Sequence, residues 1–217
     1  MIKTFGCSYT KYRWNTWSDF LKLSCTGKLQ NFGIPGASNE IICRNICKNA
    51  EIGDTIVVMW SGFDRVHSDI FYKKNHTCEG RYDSIVRNQN FILSLEQLYD
   101  RTVEYIYLAN KFCENKNIKI FNFLITIFEL GETKELQKFK PYLQIDHKKW
   151  PIDMNSFCLE NNVIGKTTKD PHPSPSQHYK YCQQIICKTM NIKPYEISVE
   201  KLEKLDNQRE DREANGQ

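Results

Sequence analysis

Apolar residues recur along the chain with two different spacings, and these predict alternating strands and helices. Short unbroken apolar runs, of which TIVVMW is the clearest, are typical of strands buried on both faces of a sheet. Such strands are predicted at residues 2–5, 29–32, 55–60 and 118–128. Apolar residues three and four positions apart predict helices at residues 14–25, 39–50, 94–111 and 176–190. This alternation predicts an α/β fold built on a doubly wound, mostly parallel sheet.

Polar clusters follow three of the predicted strands. They are GCSYT at residues 6–10, GIPGASN at residues 33–39 and SGFDR at residues 61–65. A fourth cluster, DPHPS at residues 170–174, precedes the last predicted helix. Open α/β sheets bind ligands outside the carboxyl ends of their strands. We therefore expect the four clusters to meet at one edge of the sheet.

The chain of 217 residues is long enough for one well-buried domain, which we place at residues 1–194. Two stretches with little periodicity, near residues 66–90 and 130–160, are predicted to be insertions in this domain. Residues 195–217 carry seven acidic and four basic side chains, a charge of −3, which leaves +7 on residues 1–194. We expect this acidic C-terminal segment to be a flexible tail.

Composition limits the possible functions. Hydrophobic residues make up 40% of the chain and aromatic residues 12%, which is inconsistent with a wholly disordered protein. No apolar run reaches the roughly 18 residues that a membrane span needs, so no membrane contact is expected. No secretory signal precedes the first strand, which favours the cytoplasm or a virion. The basic side chains form no dense patch, and we therefore expect no nucleic-acid partner.

The nine cysteines are expected to be reduced, because their number is odd and no signal indicates an oxidising compartment. Cys43 and Cys47 lie four positions apart, and His172 and His178 lie six apart. Neither spacing gives the tight CxxC pair that structural zinc sites favour. We expect neither a metal ion nor another cofactor.

Ser8 and His172 are the candidate catalytic pair. A hydroxyl at the turn that follows a strand is exposed, and nearby backbone amides can stabilise an oxyanion. Ser8 needs a base to become nucleophilic, and His172 lies in a second cluster predicted at the same edge. Asp170 lies close enough in sequence to orient the imidazole of His172. His178 is an alternative base, although it falls within the last predicted helix.

The four clusters resemble, in order, the four sequence blocks of the SGNH hydrolases, which are also called GDSL-type esterases. The resemblance spans the chain to about residue 190 and implies a flavodoxin-like three-layer α/β/α sandwich that works without a metal. It implies that Ser8 is the nucleophile, His172 the general base and Asp170 its orienting acid. It also implies that the backbone amides of Ser8 and Gly36 donate to the oxyanion.

Two positions depart from the family pattern. The third block usually carries an asparagine that donates to the oxyanion, whereas this chain has Asp64 there. A carboxylate donates no hydrogen bond, so Asn39 is predicted to be the third donor. Asp64 is then expected to pair with Arg65, and Ser61, Asp64 and Arg65 are expected to bind substrate. The family also places the acid three residues before the base, where this chain has Lys169 and not Asp170.

Two other functions are compatible with the sequence. The sequence also resembles low-molecular-weight tyrosine phosphatases at three positions. Cys7 matches their nucleophile, Arg13 their phosphate-binding arginine and Asp170 their general acid. Alternatively, a chain with Asp64 at the oxyanion position is a catalytically weakened SGNH-like module that binds a glycan or a protein.

The function that the sequence favours is a serine esterase that removes a small acyl group, with O-acetylated carbohydrate as the expected substrate. This substrate comes from the resemblance and not from any particular residue. Transfer of the acyl group to another alcohol is compatible with the same side chains.

Overall fold

The computed structural model describes residues 1–25, 28–63, 65–67, 79–81, 95–126, 150–161 and 172–214. The strands are β1 (Ile2–Gly6), β2 (Leu29–Asn31), β3 (Thr55–Trp60), β4 (Arg65–His67), β5 (Glu79–Arg81) and β6 (Lys119–Leu124). The first helices are α1 (Trp17–Ser24), α2 (Asn39–Asn49), α3 (Leu95–Asn115) and α4 (Met154–Glu160). They are followed by α5 (Pro175–Tyr181), a π-helical segment (Cys182–Cys187), α6 (Lys188–Met190) and α7 (Val199–Ala214).

Four of the strands form a parallel sheet in the order β2-β1-β3-β6. Ile2 is in register with Leu29 on one side and with Thr55 on the other, and Thr55 is in register with Lys119. The chain leaves β1 for β2 on one side and then crosses back to β3 on the other. A topological switch point therefore lies between β1 and β3, where open α/β sheets bind their ligands.

Helices cover both faces of this sheet. Helix α1 packs with α5 and the π-helical segment, whereas α2 packs with α3. The central strands β1 and β3 are almost entirely buried, and Trp17, Trp60 and Phe123 are among the largest fully buried side chains. The predicted α/β fold class and three-layer sandwich are confirmed, and the parallel sheet accounts for the unbroken apolar runs.

Side-chain caps explain where three of the helices begin. Thr16 and Asp19 form a capping box at the start of α1, and the hydroxyl of Ser38 accepts a hydrogen bond from a backbone amide at the start of α2. At α5, Ser174 forms a capping box with Gln177, and a proline occupies the first helical position. Such caps satisfy backbone N–H groups that have no partner within the helix.

The structure differs from the sequence predictions in three segments. Strands β4 and β5 pair antiparallel within the stretch predicted to be loop-like. Helix α4 lies within the second predicted insertion, where Asp153 caps it. The acidic C-terminal segment is not a free tail, because α7 packs against α5 and buries Leu202. None of the helices within the described ranges is long and apolar enough to cross a membrane.

Candidate active site

Ser8 lies in a tight turn directly after β1. The carbonyl of Cys7 accepts hydrogen bonds from the backbone amides of Thr10 (2.9 Å) and Lys11 (3.2 Å), which fold the chain back at this point. The turn depends on Gly6, because a Cβ atom there would lie 2.1 Å from Thr10 Oγ1 and 2.8 Å from the carbonyl oxygen of Met59. A glycine after a strand thus permits the close approach that places Ser8 at the switch point.

The loop after β2 lies against the same turn. The backbone amide of Ile34 donates to the carbonyl of Gly6 (2.9 Å). Pro35 and Gly36 then form the centre of a type II turn, which the amide of Ala37 closes by donating to Ile34 (3.0 Å). Gly36 has the positive φ of +84° that such a turn requires. The hydrogen bond that closes this turn uses the N–H of Ala37 and not that of Gly36.

The structure brings Ser8 and His172 together. The Oγ of Ser8 and the Nε2 of His172 are 2.7 Å apart, although 164 residues separate them along the chain. This is a hydrogen-bonding distance and falls in the range expected for a nucleophile and its base. The prediction that Ser8 is exposed was wrong, because the turn after β1 packs against its neighbours and leaves Ser8 only 4% exposed, while His172 is half-buried.

Aromatic side chains hold the His172 ring. Tyr12 stacks on it with ring centroids 4.2 Å apart, Tyr9 lies at 5.4 Å, and Trp14 meets it edge-on at 6.4 Å. The indole N–H of Trp14 also donates to the carbonyl of Pro173 (3.0 Å). No motif in the sequence assigned Tyr9 and Tyr12 to the site. The sequence feature that could have indicated them is their position close to Ser8, in the loop that follows β1.

His178, the alternative base, does not contact Ser8. Its side chain is 1% exposed in the first turns of α5, and its Nδ1 has no hydrogen-bond partner among the described residues. Burial lowers the pKa of His178 from 6.5 to about 3, and the charges of His172 and Arg209 add to this effect. His178 is therefore neutral at physiological pH. It packs in the interior of the protein, with its ring centroid 6.2 Å from that of Tyr9.

Asn39, the predicted third oxyanion donor, has a structural role instead. Its side-chain amide donates to the carbonyl of Ser61 (3.0 Å) and to Thr102 Oγ1 (3.3 Å), and its Oδ1 accepts from the amide of Ser61 (2.8 Å). These bonds use both amide hydrogens. The prediction was wrong because the polar atoms at the end of β3 are buried and require these partners.

Ser61 and Arg65 were predicted to bind substrate. Ser61 is fully buried, and its hydroxyl has no hydrogen-bond partner in the part of the chain that the structure describes. The substrate-binding role of Ser61 stays a prediction. Arg65 is half-buried and lines a small cavity between the start of α2 and helix α3, together with Glu40, Arg101 and Tyr105. Asp64 and Asp170 lie outside the described residues.

Cys7 is not placed to act as a nucleophile. Its side chain is fully buried and belongs to the hydrophobic core. Arg13 is exposed, and its guanidinium lies 5.6 Å from the ring of Tyr12. A phosphatase needs an accessible thiolate beside its arginine, so the geometry contradicts the phosphatase interpretation. Among the described residues, no group of His, Cys, Asp and Glu side chains could hold a metal ion.

No protein-family model and no curated protein matches the sequence. Among solved structures, the chain is similar to the protein YxiM of Bacillus subtilis, with 13% identity and a TM-score of 0.52. That match covers 90% of this chain but 58% of the other, so this chain spans little more than half of YxiM. A GDSL-like lipase from Bacteroides thetaiotaomicron matches with 12% identity and a TM-score of 0.45 over 88% of this chain and 87% of its own. A variant of the esterase AlinE4 matches with 11% identity and a TM-score of 0.45 over 88% and 92%.

The strand order and the position of the strand exits are those implied by the resemblance to SGNH hydrolases. The turn that carries Ser8 follows the central strand β1, and the loop that carries Gly36 is hydrogen-bonded to the end of β1. The chain shares this α/β/α fold with YxiM over most of its length.

Proposed function

We propose that this protein is a serine esterase of the SGNH type. The observation that carries the proposal is the 2.7 Å distance between Ser8 Oγ and His172 Nε2. A hydroxyl and an imidazole at this distance form the nucleophile–base pair of acyl transfer. Their position at the switch point of the sheet, where substrates reach an α/β fold, supports the same function.

The first half of the proposed reaction forms an acyl-enzyme. Ser8 Oγ attacks the ester carbonyl carbon while His172 Nε2 accepts the hydroxyl proton. Negative charge then develops on the former carbonyl oxygen, and the backbone amides of Ser8 and Gly36 donate hydrogen bonds to it. When this tetrahedral intermediate collapses, the carbon–oxygen bond of the ester breaks, and His172 gives its proton to the leaving alcohol.

The second half regenerates the enzyme. Water attacks the Ser8 ester as His172 accepts a proton from it, and the carboxylic acid leaves as the proton returns to Ser8 Oγ. An alcohol in place of water gives acyl transfer by the same steps.

Asp170 remains the proposed orienting acid. A carboxylate that accepts a hydrogen bond from Nδ1 of His172 would keep Nε2 free to accept the proton of Ser8. Pro171 separates Asp170 from His172 and limits the conformations of this segment.

The proposed substrate is a small acyl ester, with an O-acetylated carbohydrate as the first compound to test. Two observations favour a short acyl group: Ser8 is almost completely buried, and its Oγ lies 2.7 Å from Nε2 of His172, whose ring contacts that of Tyr9. Tyrosine rings next to a nucleophile are also suited to contact the apolar face of a sugar.

Turnover of aryl acetate, butyrate and octanoate esters tests this function. The acetate is expected to react fastest, and Ser8→Ala and His172→Ala are each expected to lower its turnover at least about 1,000-fold. Cys7→Ala is the matched control, because it removes the neighbouring thiol and leaves the proposed pair intact.

Other outcomes would contradict the proposal in different ways. Loss of phosphate-ester cleavage in Cys7→Ala, with Ser8→Ala still active, would indicate the phosphatase. A folded wild-type protein that cleaves neither kind of ester would indicate a binding module.

A further inference from the structure

The C-terminal helix α7 buries a positive charge beside the candidate site. This helix is strongly charged, yet Arg209 is only 3% exposed. Its guanidinium carbon lies 4.6 Å from the centre of the Trp14 ring, which is a cation–π distance. Removing a guanidinium from water has a high free-energy cost, so this placement needs a compensating interaction, and the Trp14 ring provides one.

Trp14 connects Arg209 to the segment that carries the candidate base. Its indole N–H donates to the carbonyl of Pro173, the residue directly after His172. Tyr12 meets Trp14 edge-on with ring centroids 4.6 Å apart and stacks on the His172 ring. Arg209 thus packs on Trp14, and Trp14 is linked to His172 in two ways. One is its hydrogen bond to the backbone of Pro173, and the other is its contact with Tyr12, which stacks on the imidazole ring.

A second side chain of α7 holds the other side of the same segment. The carboxylate of Asp206 accepts a hydrogen bond from the backbone amide of Ser176 (3.0 Å). Ser176 lies in the first turn of α5, shortly after His172. Since Asp206 and Arg209 are three residues apart, they share a face of α7, and this face clamps the chain from Pro173 to Ser176.

We infer that Arg209 is a positioning residue that holds His172 at hydrogen-bonding distance from Ser8 by fixing the Trp14 side chain. This inference rests on the proposed esterase function and extends the site to the C-terminal helix. Arg209 acts through the contacts that Trp14 makes with Pro173 and Tyr12. Its effect arises because proton transfer depends steeply on distance, and a displacement of about 1 Å can cost about 100-fold in rate.

The first test compares variants by the rate at which a fluorophosphonate probe labels Ser8. Arg209→Met is expected to label roughly 10- to 100-fold more slowly than wild type. Arg209→Lys is expected to recover part of the rate, because a lysine keeps a cation over Trp14. Lys204→Met, which removes an exposed cation from the same helix, is the matched control and should label at the wild-type rate. A folded Arg209→Met protein that labels as fast as wild type would overturn the inference.

A double-mutant cycle tests whether Arg209 acts through Trp14. Trp14→Phe removes the indole N–H but keeps an aromatic ring. If the pair acts as a unit, the double variant Trp14→Phe/Arg209→Met labels about as slowly as the slower single variant. If the reductions in labelling rate of the two single variants multiply in the double variant, the two residues act independently. That result would contradict the proposed action of Arg209 through Trp14.

Hydrogen exchange of the indole N–H groups, followed by NMR on the full chain, requires no chemical activity. The Trp14 indole N–H is expected to exchange faster in Arg209→Met than in wild type. The Trp60 indole N–H, which donates to Asn122 Oδ1 (2.9 Å), is the internal reference and should be unchanged. Unchanged exchange at Trp14 would overturn the positioning role. A wild-type protein that is never labelled at Ser8 would instead refute the esterase function, and the exchange data would still decide whether Arg209 holds Trp14.

Discussion

At the scale of single residues, two histidines lie near the Tyr9 ring in different surroundings. His172 is half-buried and contacts Ser8, whereas His178 is completely enclosed and has no partner at Nδ1 among the described residues. A proton acceptor must reach the proton that it accepts. Geometry and burial together therefore select His172 as the candidate base.

The pH dependence of stability should reveal the burial of His178. Because its pKa falls from 6.5 to about 3 on folding, the unfolded chain binds a proton below pH 6.5 that the folded chain does not. Its contribution to stability is thus fully present above pH 6.5 and is lost as the pH falls toward 3. Denaturant unfolding should show a slope from this group of up to about 1.4 kcal/mol per pH unit.

The matched variant for this measurement is His178→Gln, which removes the titrating group. Its free energy of unfolding should depend less on pH than that of wild type between pH 6 and about 4. Equal slopes in the two proteins would show that His178 takes up its proton normally in the folded state.

At this scale the sequence predicted part of the site. Ser8 and Gly36 lie in the turns after β1 and β2, and His172 lies at hydrogen-bonding distance from Ser8, whereas their catalytic roles stay predictions. Asn39 was misassigned because a buried backbone amide and carbonyl at Ser61 bind its side chain. Such competition for a polar side chain arises from tertiary packing and is not visible in a motif.

At the scale of elements, the site depends on two turns that follow neighbouring strands. The turn after β1 carries Ser8, and the type II turn after β2 carries Gly36. The hydrogen bond from Ile34 to Gly6 joins them. Both turns use a glycine for a physical reason, which is close approach at Gly6 and a positive φ at Gly36.

Gly6→Ala should damage both stability and reactivity. The added methyl group would meet Thr10 and the Met59 carbonyl, and the turn that presents Ser8 must move to relieve this contact. Gly53→Ala is the matched control, because Gly53 also has a positive φ (+87°) but a Cβ atom added there would meet no other atom within 4 Å. Both positions have a backbone conformation that L-residues rarely adopt, so each variant also carries backbone strain of about 1–3 kcal/mol.

Thermal unfolding and probe labelling separate the two glycines. Gly6→Ala should lower the melting temperature more than Gly53→Ala and should slow the labelling of Ser8. Gly53→Ala should label at the wild-type rate. Equal labelling rates in the two variants would show that the turn after β1 does not control the reactivity of Ser8.

The elements show where sequence patterns were sufficient. Helices α1 and α2 and strand β3 were predicted within a few residues, since the two helices combine a clear period with a cap and β3 is an unbroken apolar run. The small sheet of β4 and β5 was missed because each of these strands has three residues, too few to establish a period.

At the scale of the whole molecule, the two edges of the sheet have different roles. The carboxyl ends of the strands carry the candidate site. At the amino ends, the buried Lys3 pairs with Asp54 (2.7 Å) and donates to the carbonyl of Asn49 (2.8 Å). Burial by itself would raise the pKa of Asp54, but hydrogen bonds from Lys3, the Glu51 amide and the N-terminal amine, together with the charge of Lys3, outweigh this and hold the pKa below 3.8.

Asp54→Asn should destabilise the protein without changing the site. Loss of the charged hydrogen bond is expected to lower the free energy of unfolding by about 2 kcal/mol at pH 7. Since the pKa of Asp54 is lowered on folding, its contribution is present above pH 4 and is lost as the pH falls below that value. The variant should therefore lose less stability than wild type between pH 4 and 2, as urea unfolding would show. Slower labelling of Ser8 in the folded variant would contradict this separation of the two edges.

The docking of α7 was the whole-molecule feature that the sequence did not predict. The many charged side chains of α7 suggested a segment exposed to water, but Leu202 and Arg209 are buried against the rest of the fold. A single buried arginine in a charged helix gives no periodic signal, and its cation–π partner Trp14 is distant in sequence.

The most direct test of the central claim is to locate the fluorophosphonate label by mass spectrometry in wild type and in His172→Ala. We predict one labelled peptide in wild type, modified at Ser8, and a rate reduced at least about 1,000-fold without the imidazole. A label on any other residue, or equal labelling of Ser8 in both proteins, would contradict the claim that His172 activates Ser8.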